Sequence, residues 1–324
     1  MLLILTNSRD VTTDLLIPHL KCIEFFRLDI DKYADYGWDF TNKGFAIAHR
    51  DGKRISSENI TAIYERKLCF ADVIDVPALG CEENWRREEI MDLIYGLIES
   101  MHAMGRAALV HAGNGRWRKL RQMKEAAKYF TVPEWHIWQG IDLKLPANKT
   151  WVVKTLTQLQ LGDGGAIFVR SVDPAKLDAH YPWFLQEKVE AQEDVTVVYV
   201  KGTLFAYALD RSTFNGEDYR FDGAFTDLPW RKVTLTRDEQ DSMRTFMQDT
   251  GYDFGRFDFL RKNGKLYFLE MNPNGQWAWL DIKNRDGLFT AIADEIIQVA
   301  SLPPLAWQST TQVPQTQKPT SVLY

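Results

Sequence analysis

Residues 255–277 read GRFDFLRKNGKLYFLEMNPNGQW. Two largely apolar runs flank Asn263-Gly264, a pair that accepts positive φ and so marks a hairpin turn. The register of that hairpin decides what the chain presents on either side. A two-residue loop pairs Asp258 with Leu269 and mixes charge into both faces. A three-residue loop over 262–264, with Gly264 left-handed, instead pairs Asp258 with Phe268 and Arg256 with Glu270. Phe257, Phe259, Leu269 and Met271 then share an apolar face, and Arg256, Asp258, Glu270 and Asn272 line the other. The pattern predicts the second register.

Two carboxylates and an amide oxygen on one face, with no histidine or cysteine beside them, are hard oxygen donors. They suit Mg²⁺, which takes one or two carboxylates and completes its shell with water and phosphate oxygens. Taken alone, the pattern more often marks a solvated sheet face on which Arg256 pairs with an acid. Support has to come from the rest of the chain.

At 324 residues the chain is too long for one small core and fits two or three packed subdomains. It is 45% hydrophobic and 26% charged, with no apolar run long enough to span a bilayer, which argues against a membrane protein. The start, MLLILTNSRD, lacks a basic flank and a small-residue cleavage pattern, so it reads as a first strand and points to the cytoplasm. The three cysteines, Cys22, Cys69 and Cys81, lack C-x-x-C spacing and suggest neither a disulfide framework nor a zinc site. A net charge of −5 argues against nucleic acid as the main partner.

Residues 1–112 alternate strand and helix. Leu2–Leu5 is a strand, a helix follows over Thr12–Leu20, and FAIAHRDGKRIS turns back at Asp51-Gly52. Ile90, Leu93, Ile94, Leu97, Ile98 and Met101 make one face of a helix that stops at Gly105. A second unit, 113–183, holds a basic helix over 117–130, the strand TWVVKTL around Lys154, and a loop carrying Gly162, Gly164 and Gly165. A third unit, 184–302, holds QEKV at Gln186–Val189, a hairpin around Lys201-Gly202, a helix over 238–251, the opening hairpin and a last helix over 287–299. Residues 303–324 turn to Pro, Gln, Thr and Ser and are expected to be disordered.

Several of these features fit phosphate binding. A lysine inside an apolar strand, as at Lys154, is costly unless it faces an acid or a ligand. The glycines after it would let backbone N–H groups close on phosphate oxygens, although there is no P-loop signature and a plain flexible loop is the more common meaning of three glycines. Lys119 lies in the basic run RWRKLRQMK. QEKV leaves a strand where backbone groups can read an adenine edge.

The order Lys119, Lys154 with its glycines, QEKV, Asp194, Arg211, then Asp258, Glu270 and Asn272 resembles the ATP-grasp ligases. FLEMNPNGQW, with YERKL at 64–68 and DYR at 218–220, is similar to one branch, the ATP-grasp ribosomal peptide maturases of the microviridin-type graspetide synthetases. The resemblance covers roughly 60–299. It implies an α+β fold in which two subdomains clasp ATP behind an α/β pre-ATP-grasp domain. Lys119, Lys154, Gly164, Gly165, Gln186, Glu187, Val189 and Asp194 would bind ATP. Arg211, Lys154 and Arg220 would serve catalysis, and Asp258, Glu270 and Asn272 would hold Mg²⁺. Two positions depart from the pattern: Thr196 stands where many relatives have arginine, and Asp281 where glutamate is common.

The implied activity is ADP-forming. An Asp or Glu side chain of a precursor peptide, composed of leader and core, is activated as an acyl phosphate and captured by Thr, Ser or Lys to give an ester or amide ring. Arg66, Lys67, Arg116 and Arg118 would attract an acidic segment of that peptide, and a homodimer is expected. A glutamate- or amino-acid-adding ligase would use the same ATP residues, and a nucleotide-binding regulatory module without turnover is the alternative of another class. A third alternative is an interaction protein using its 11 tryptophans as contact surface, although tryptophan at strand and helix positions is more often core.

Overall fold

The computed structural model describes residues 1–66, 68, 81–109, 118–140, 145–146, 148–156, 169–219, 228–304 and 307. The chain divides into two compact units, Met1–Ala108 with Ala293 onward, and Leu109–Ile292.

The first unit is built on β1 (Leu2–Thr6), which is buried throughout. Such an uninterrupted apolar run belongs to a parallel strand covered on both faces. It pairs in parallel with β2 (Phe25–Asp29) on one side and β6 (Ala62–Glu65) on the other. Helix α1 (Val11–Leu16) starts at Asp10, whose side chain accepts from the Thr12 N–H, and tightens into a 3₁₀ turn at Ile17–Leu20. A meander of β3 (Tyr36–Thr41), β4 (Gly44–His49) and β5 (Arg54–Ser56) follows. Strand β3 is absent from the sequence reading, which saw only the hairpin after it. Helix α2 (Cys81–Ala103) buries Ile94, Leu97, Ile98 and Met101 against Leu3, Leu5 and Ile63. Its chain then turns at left-handed Gly105.

The second unit carries two antiparallel sheets. One has the order β7-β10-β8-β9, from β7 (Trp135–Trp138), β8 (Trp151–Lys154), β9 (Arg170–Val172) and β10 (Trp183–Glu187). The other has the order β13-β12-β11-β14-β15, from β11 (Glu193–Val200), β12 (Thr203–Asp210), β13 (Arg231–Lys232), β14 (Phe254–Lys262) and β15 (Lys265–Asn272). Helices α3 (Lys119–Ala126) and α4 (Arg237–Thr250) contribute Met123, Ala126, Met243, Phe246 and Met247 to a core shared with Val195, Val197, Phe257, Phe259, Phe268 and Met271. A capping box of Thr236 and Glu239 starts α4, and left-handed Gly251 stops it. Helix α5 (Leu288–Ala300) ends the described elements apart from a few residues after it.

The hairpin register corrects the expectation drawn from alternation. The loop between β14 and β15 has two residues, Asn263 and Gly264 at φ 49° and 78°, and Lys262 pairs with Lys265. The ladder then shifts: Phe259 pairs with Phe268, but Asp258 pairs with Glu270 and Arg256 with Asn272. Leu269 is therefore the extra residue of a β-bulge. Phe268, not Leu269, joins Phe257, Phe259 and Met271 in the core. The composition of the polar face stands as read, because a bulge and a longer loop each absorb one residue. Alternation alone does not distinguish them.

Candidate functional site

Because Phe257, Phe259, Val195 and Val197 point into the core, their neighbours Arg256, Asp258, Asp194 and Thr196 point to the opposite face. Thr196, Asp258 and Glu270 lie in one cross-strand row. The Thr196 hydroxyl is within hydrogen-bonding distance of Asp258 Oδ1 (2.9 Å) and Phe257 O (3.1 Å). Arg256 is buried; it donates to Asp258 Oδ2 at 2.8 Å and to the Gln276 carbonyl at 2.7 Å. Both oxygens of Asp258 are thus oriented by neighbours. The turn after β15 adds to this packing: a Cβ on Gly275 would come within 2.8 Å of Arg256 Cβ.

Glu270 forms an ion pair with Lys119 at the start of α3. Burial pushes the carboxyl up, but Lys119, followed by Lys154 and Arg256, more than offsets this and holds it down at about 2. Glu270 is therefore an anion set among three cations. Lys154, at the end of β8, belongs to this field as expected of a charge inside an apolar strand. Asn272 Oδ1 accepts from the Asn274 N–H at 3.1 Å, a local turn that fixes its amide. Among the described residues no group of three or more His, Cys, Asp or Glu is placed to hold a metal. The candidate set is two carboxylates and one amide oxygen.

On β11, Asp194 receives Arg211 Nη1 at 2.5 Å. Burial raises the Asp194 carboxyl to about 6; Arg211 opposes this, while Asp258 and Asp218 add to it. Arg211 also donates to the Glu217 carbonyl at 3.1 Å and lies 5.1 Å from the centre of the Phe214 ring. Thr196, the departure from D-x-R, contributes a hydroxyl on Asp258, so the positive charge beside this carboxylate comes from Arg256 within the same sheet.

Gln186, on β10, is 1% exposed, and its amide nitrogen has no hydrogen-bond partner among the described residues. Such a donor is costly unless something binds it. Glu187 is held by Lys149 Nζ at 2.9 Å, which also reaches Glu134 at 2.6 Å. The Glu187 and Lys188 N–H groups are already used by the carbonyls of Glu134 and Thr150. Val189 is buried. Gly164, Gly165 and Arg220 lie outside the described residues.

One further position differs from its sequence reading, and another gains a role the sequence did not give it. Arg66 is 1% exposed and lies 3.5 Å from Asp10, so it is not a surface charge for an acidic peptide. Asp281 accepts from the backbone N–H groups of Arg285, Asp286 and Leu288, which organises the entry into α5. The residue that sequence reasoning missed is Gln122. It is buried on α3 one turn after Lys119, with its amide on the backbone of Met271. A polar residue inside the apolar face made by Met123 and Ala126 was the available signal.

No protein-family model matches the chain, and no curated protein matches it. Solved structures do. The macrocyclase MdnC bound with precursor peptide MdnA, from Microcystis aeruginosa MRC, aligns with TM-score 0.75 and 20% identity over 92% of this chain and 99% of that one. A Chryseobacterium gregarium RiPP-associated ATP-grasp ligase, in complex with ADP and a leader and core peptide, aligns with TM-score 0.74 and 20% identity over 94% and 98%. The macrocyclase MdnB from Microcystis aeruginosa MRC aligns with TM-score 0.65 and 21% identity over 91% and 98%. With two antiparallel sheets, the second of which carries the polar face, the chain has the α+β ATP-grasp fold.

Proposed function

We propose that this protein is an ADP-forming ATP-grasp ligase of the graspetide-synthetase kind, which closes ester or amide rings in a ribosomally made precursor peptide. The observation that carries the reading is the polar face of β14 and β15, where Asp258 and Glu270 stand opposite each other beside Asn272 while Lys119 and Lys154 hold Glu270 ionised. A carboxylate so strongly stabilised as an anion, in a half-buried setting, is suited to a cation. Lys119, Lys154 and Arg256 supply positive charge beside it. The likeness in fold to a peptide-bound macrocyclase and to a peptide-bound ATP-grasp ligase, over nearly the whole of both chains in each case, supports the peptide as substrate.

In this reading Asp258, Glu270 and Asn272 hold Mg²⁺, which would neutralise phosphate charge. Lys119 and Lys154 hold the phosphates of ATP, with Gly164 and Gly165 supplying backbone donors. The unpartnered Gln186 amide, Glu187 and Val189 flank the adenine, and Asp194 meets the ribose. A peptide Asp or Glu oxygen attacks the γ-phosphorus, the bond to the β-γ bridging oxygen breaks, and ADP leaves with an acyl phosphate formed. A Thr or Ser hydroxyl or a Lys amine of the same peptide then attacks the acyl carbon, losing its proton and expelling phosphate. Arg211 and Arg220, with Lys154, stabilise the charge that develops in both steps. Positioning and charge neutralisation do the work, so no covalent enzyme nucleophile is required.

Residues 1–112 then form the domain preceding the ATP clasp, 113–183 and 184–302 its two halves, and 303–324 a tail. The protein works as a homodimer in the cytoplasm on a leader-and-core precursor. The test is incubation with Mg-ATP and the precursor encoded beside the gene, a short frame with Thr, Ser or Lys and downstream Asp or Glu. Loss of one water per ring with ADP release supports the proposal. Unchanged peptide mass despite full ATP binding sinks it, and ligation of free amino acids would assign the chain to the amino-acid-adding ligases.

A further inference from the structure

Strand β15 is the outer strand of its sheet, so every second residue turns its N–H and C=O away from β14. Two of these outward positions are occupied. The Phe268 N–H donates to the Thr131 carbonyl at 2.8 Å. Met271 is matched by one side chain: Gln122 Nε2 donates to the Met271 carbonyl at 2.6 Å, and the Met271 N–H donates to Gln122 Oε1 at 3.1 Å. The amide thus stands in for the peptide group of a missing neighbour strand. These two anchors bracket Leu269 and Glu270, where the ladder shifts. The side chains that flank Met271 are Glu270 and Asn272.

We infer that Gln122 is a positioning residue that fixes the bulge and so aims Glu270 and Asn272 at their cation; the inference rests on the proposed Mg²⁺ role of those residues. A bulge concentrates local freedom of twist in one residue pair, and an edge strand has no second ladder to restrain it. Packing of Met271 alone fixes depth, since apolar contacts are non-directional. Paired hydrogen bonds to one residue fix the rotation of the strand about its axis, which sets where the flanking side chains point. Gln122 and Lys119 lie one turn apart on α3, so the same rigid helix carries the brace and the counter-charge on Glu270. The cost of burying an amide in an apolar helix face is met by satisfying both of its groups.

The test is the Mg²⁺ concentration needed for half-maximal ADP binding, followed by calorimetry on the full chain. Gln122→Met keeps the length and loses both hydrogen bonds. Gln122→Glu keeps an acceptor for the Met271 N–H and places an oxygen against the carbonyl. Both should raise the Mg²⁺ requirement about tenfold or more, as loss of a group orienting a metal ligand does. Leu235→Ala, which removes volume from the same core but no hydrogen bond from β15, should lower the melting temperature with the Mg²⁺ requirement unchanged. If Gln122→Met fails to fold, Gln122→Glu alone carries the comparison. A wild-type Mg²⁺ requirement in a folded Gln122 variant overturns the inference and leaves the proposed function standing. Absence of Mg²⁺-dependent ADP binding in the wild-type protein overturns both.

Discussion

The hairpins β11–β12 and β14–β15 have the same kind of turn and different ladders. Lys201-Gly202, at φ 42° and 100°, and Asn263-Gly264, at φ 49° and 78°, are both two-residue left-handed loops. From its turn, β11–β12 runs in unbroken register from Val200↔Thr203 to Glu193↔Asp210. The β14–β15 ladder breaks between Asp258 and Phe259. The regular hairpin builds core and support. The broken one takes a sequence, Phe-Leu-Glu-Met, whose strict alternation would turn Glu270 into the apolar side, and restores Glu270 to the face of Asp258. A turn therefore sets register only as far as the next bulge.

The largest expected effect lies at the break. Asp258→Asn and Glu270→Gln should each cut Mg²⁺-dependent ADP formation by at least about 100-fold, the scale of removing a group that stabilises developing charge. Because both side chains project from the sheet away from the hydrophobic core, the proteins should stay folded by circular dichroism. Gross unfolding with unchanged activity per folded molecule would show that the carboxylates brace the sheet and hold no ligand.

A smaller effect is expected in β11, the strand that joins the two hairpins by pairing with both β12 and β14. Asp194 has its carboxyl raised to about 6 against an ordinary 3.8, so the folded state binds a proton that the unfolded state releases. Its contribution to stability is present below about pH 4 and is lost as pH rises toward 6. Relative to Asp194→Asn, the wild-type protein should lose on the order of 2 kcal/mol across that interval, read as urea midpoints at each pH. A parallel pH dependence in the two proteins would contradict the raised carboxyl.

The smallest effect should be at the turns, where the hairpins are alike. Gly202→Ala and Gly264→Ala each force a side chain into left-handed backbone with no atom within 4 Å of the new Cβ, so each should cost about 1 kcal/mol from backbone strain alone. Neither should alter the Mg²⁺ requirement for ADP binding. A change confined to Gly264→Ala would mean that the turn, and not only the bulge, sets the position of Glu270.

Much of this was legible in local sequence. The apolar strand Leu2–Leu5, the helix that ends at Gly251 and the two turn dipeptides act through neighbours a few residues away, so their chemistry is written beside them. Alternation placed Arg256, Asp258, Glu270 and Asn272 on one face because a charge in the aromatic core would be prohibitive. The sequence by itself thus determined which polar side chains oppose the core, though not whether Phe268 or Leu269 joins it.

Tertiary structure decided how they are held. Whether the odd residue is absorbed in the loop or at Leu269 is not written in the strand itself, whose outer edge is held by Thr131 and by Gln122, the latter 149 residues before Met271. The ion pair on Glu270 spans 151 residues, to Lys119. Arg66 looked like a surface charge until the fold buried it on Asp10. A residue's identity and its immediate neighbours fix its local conformational preferences, but the partner that satisfies a buried charge or an exposed strand edge is supplied by whichever distant segment the fold packs against it.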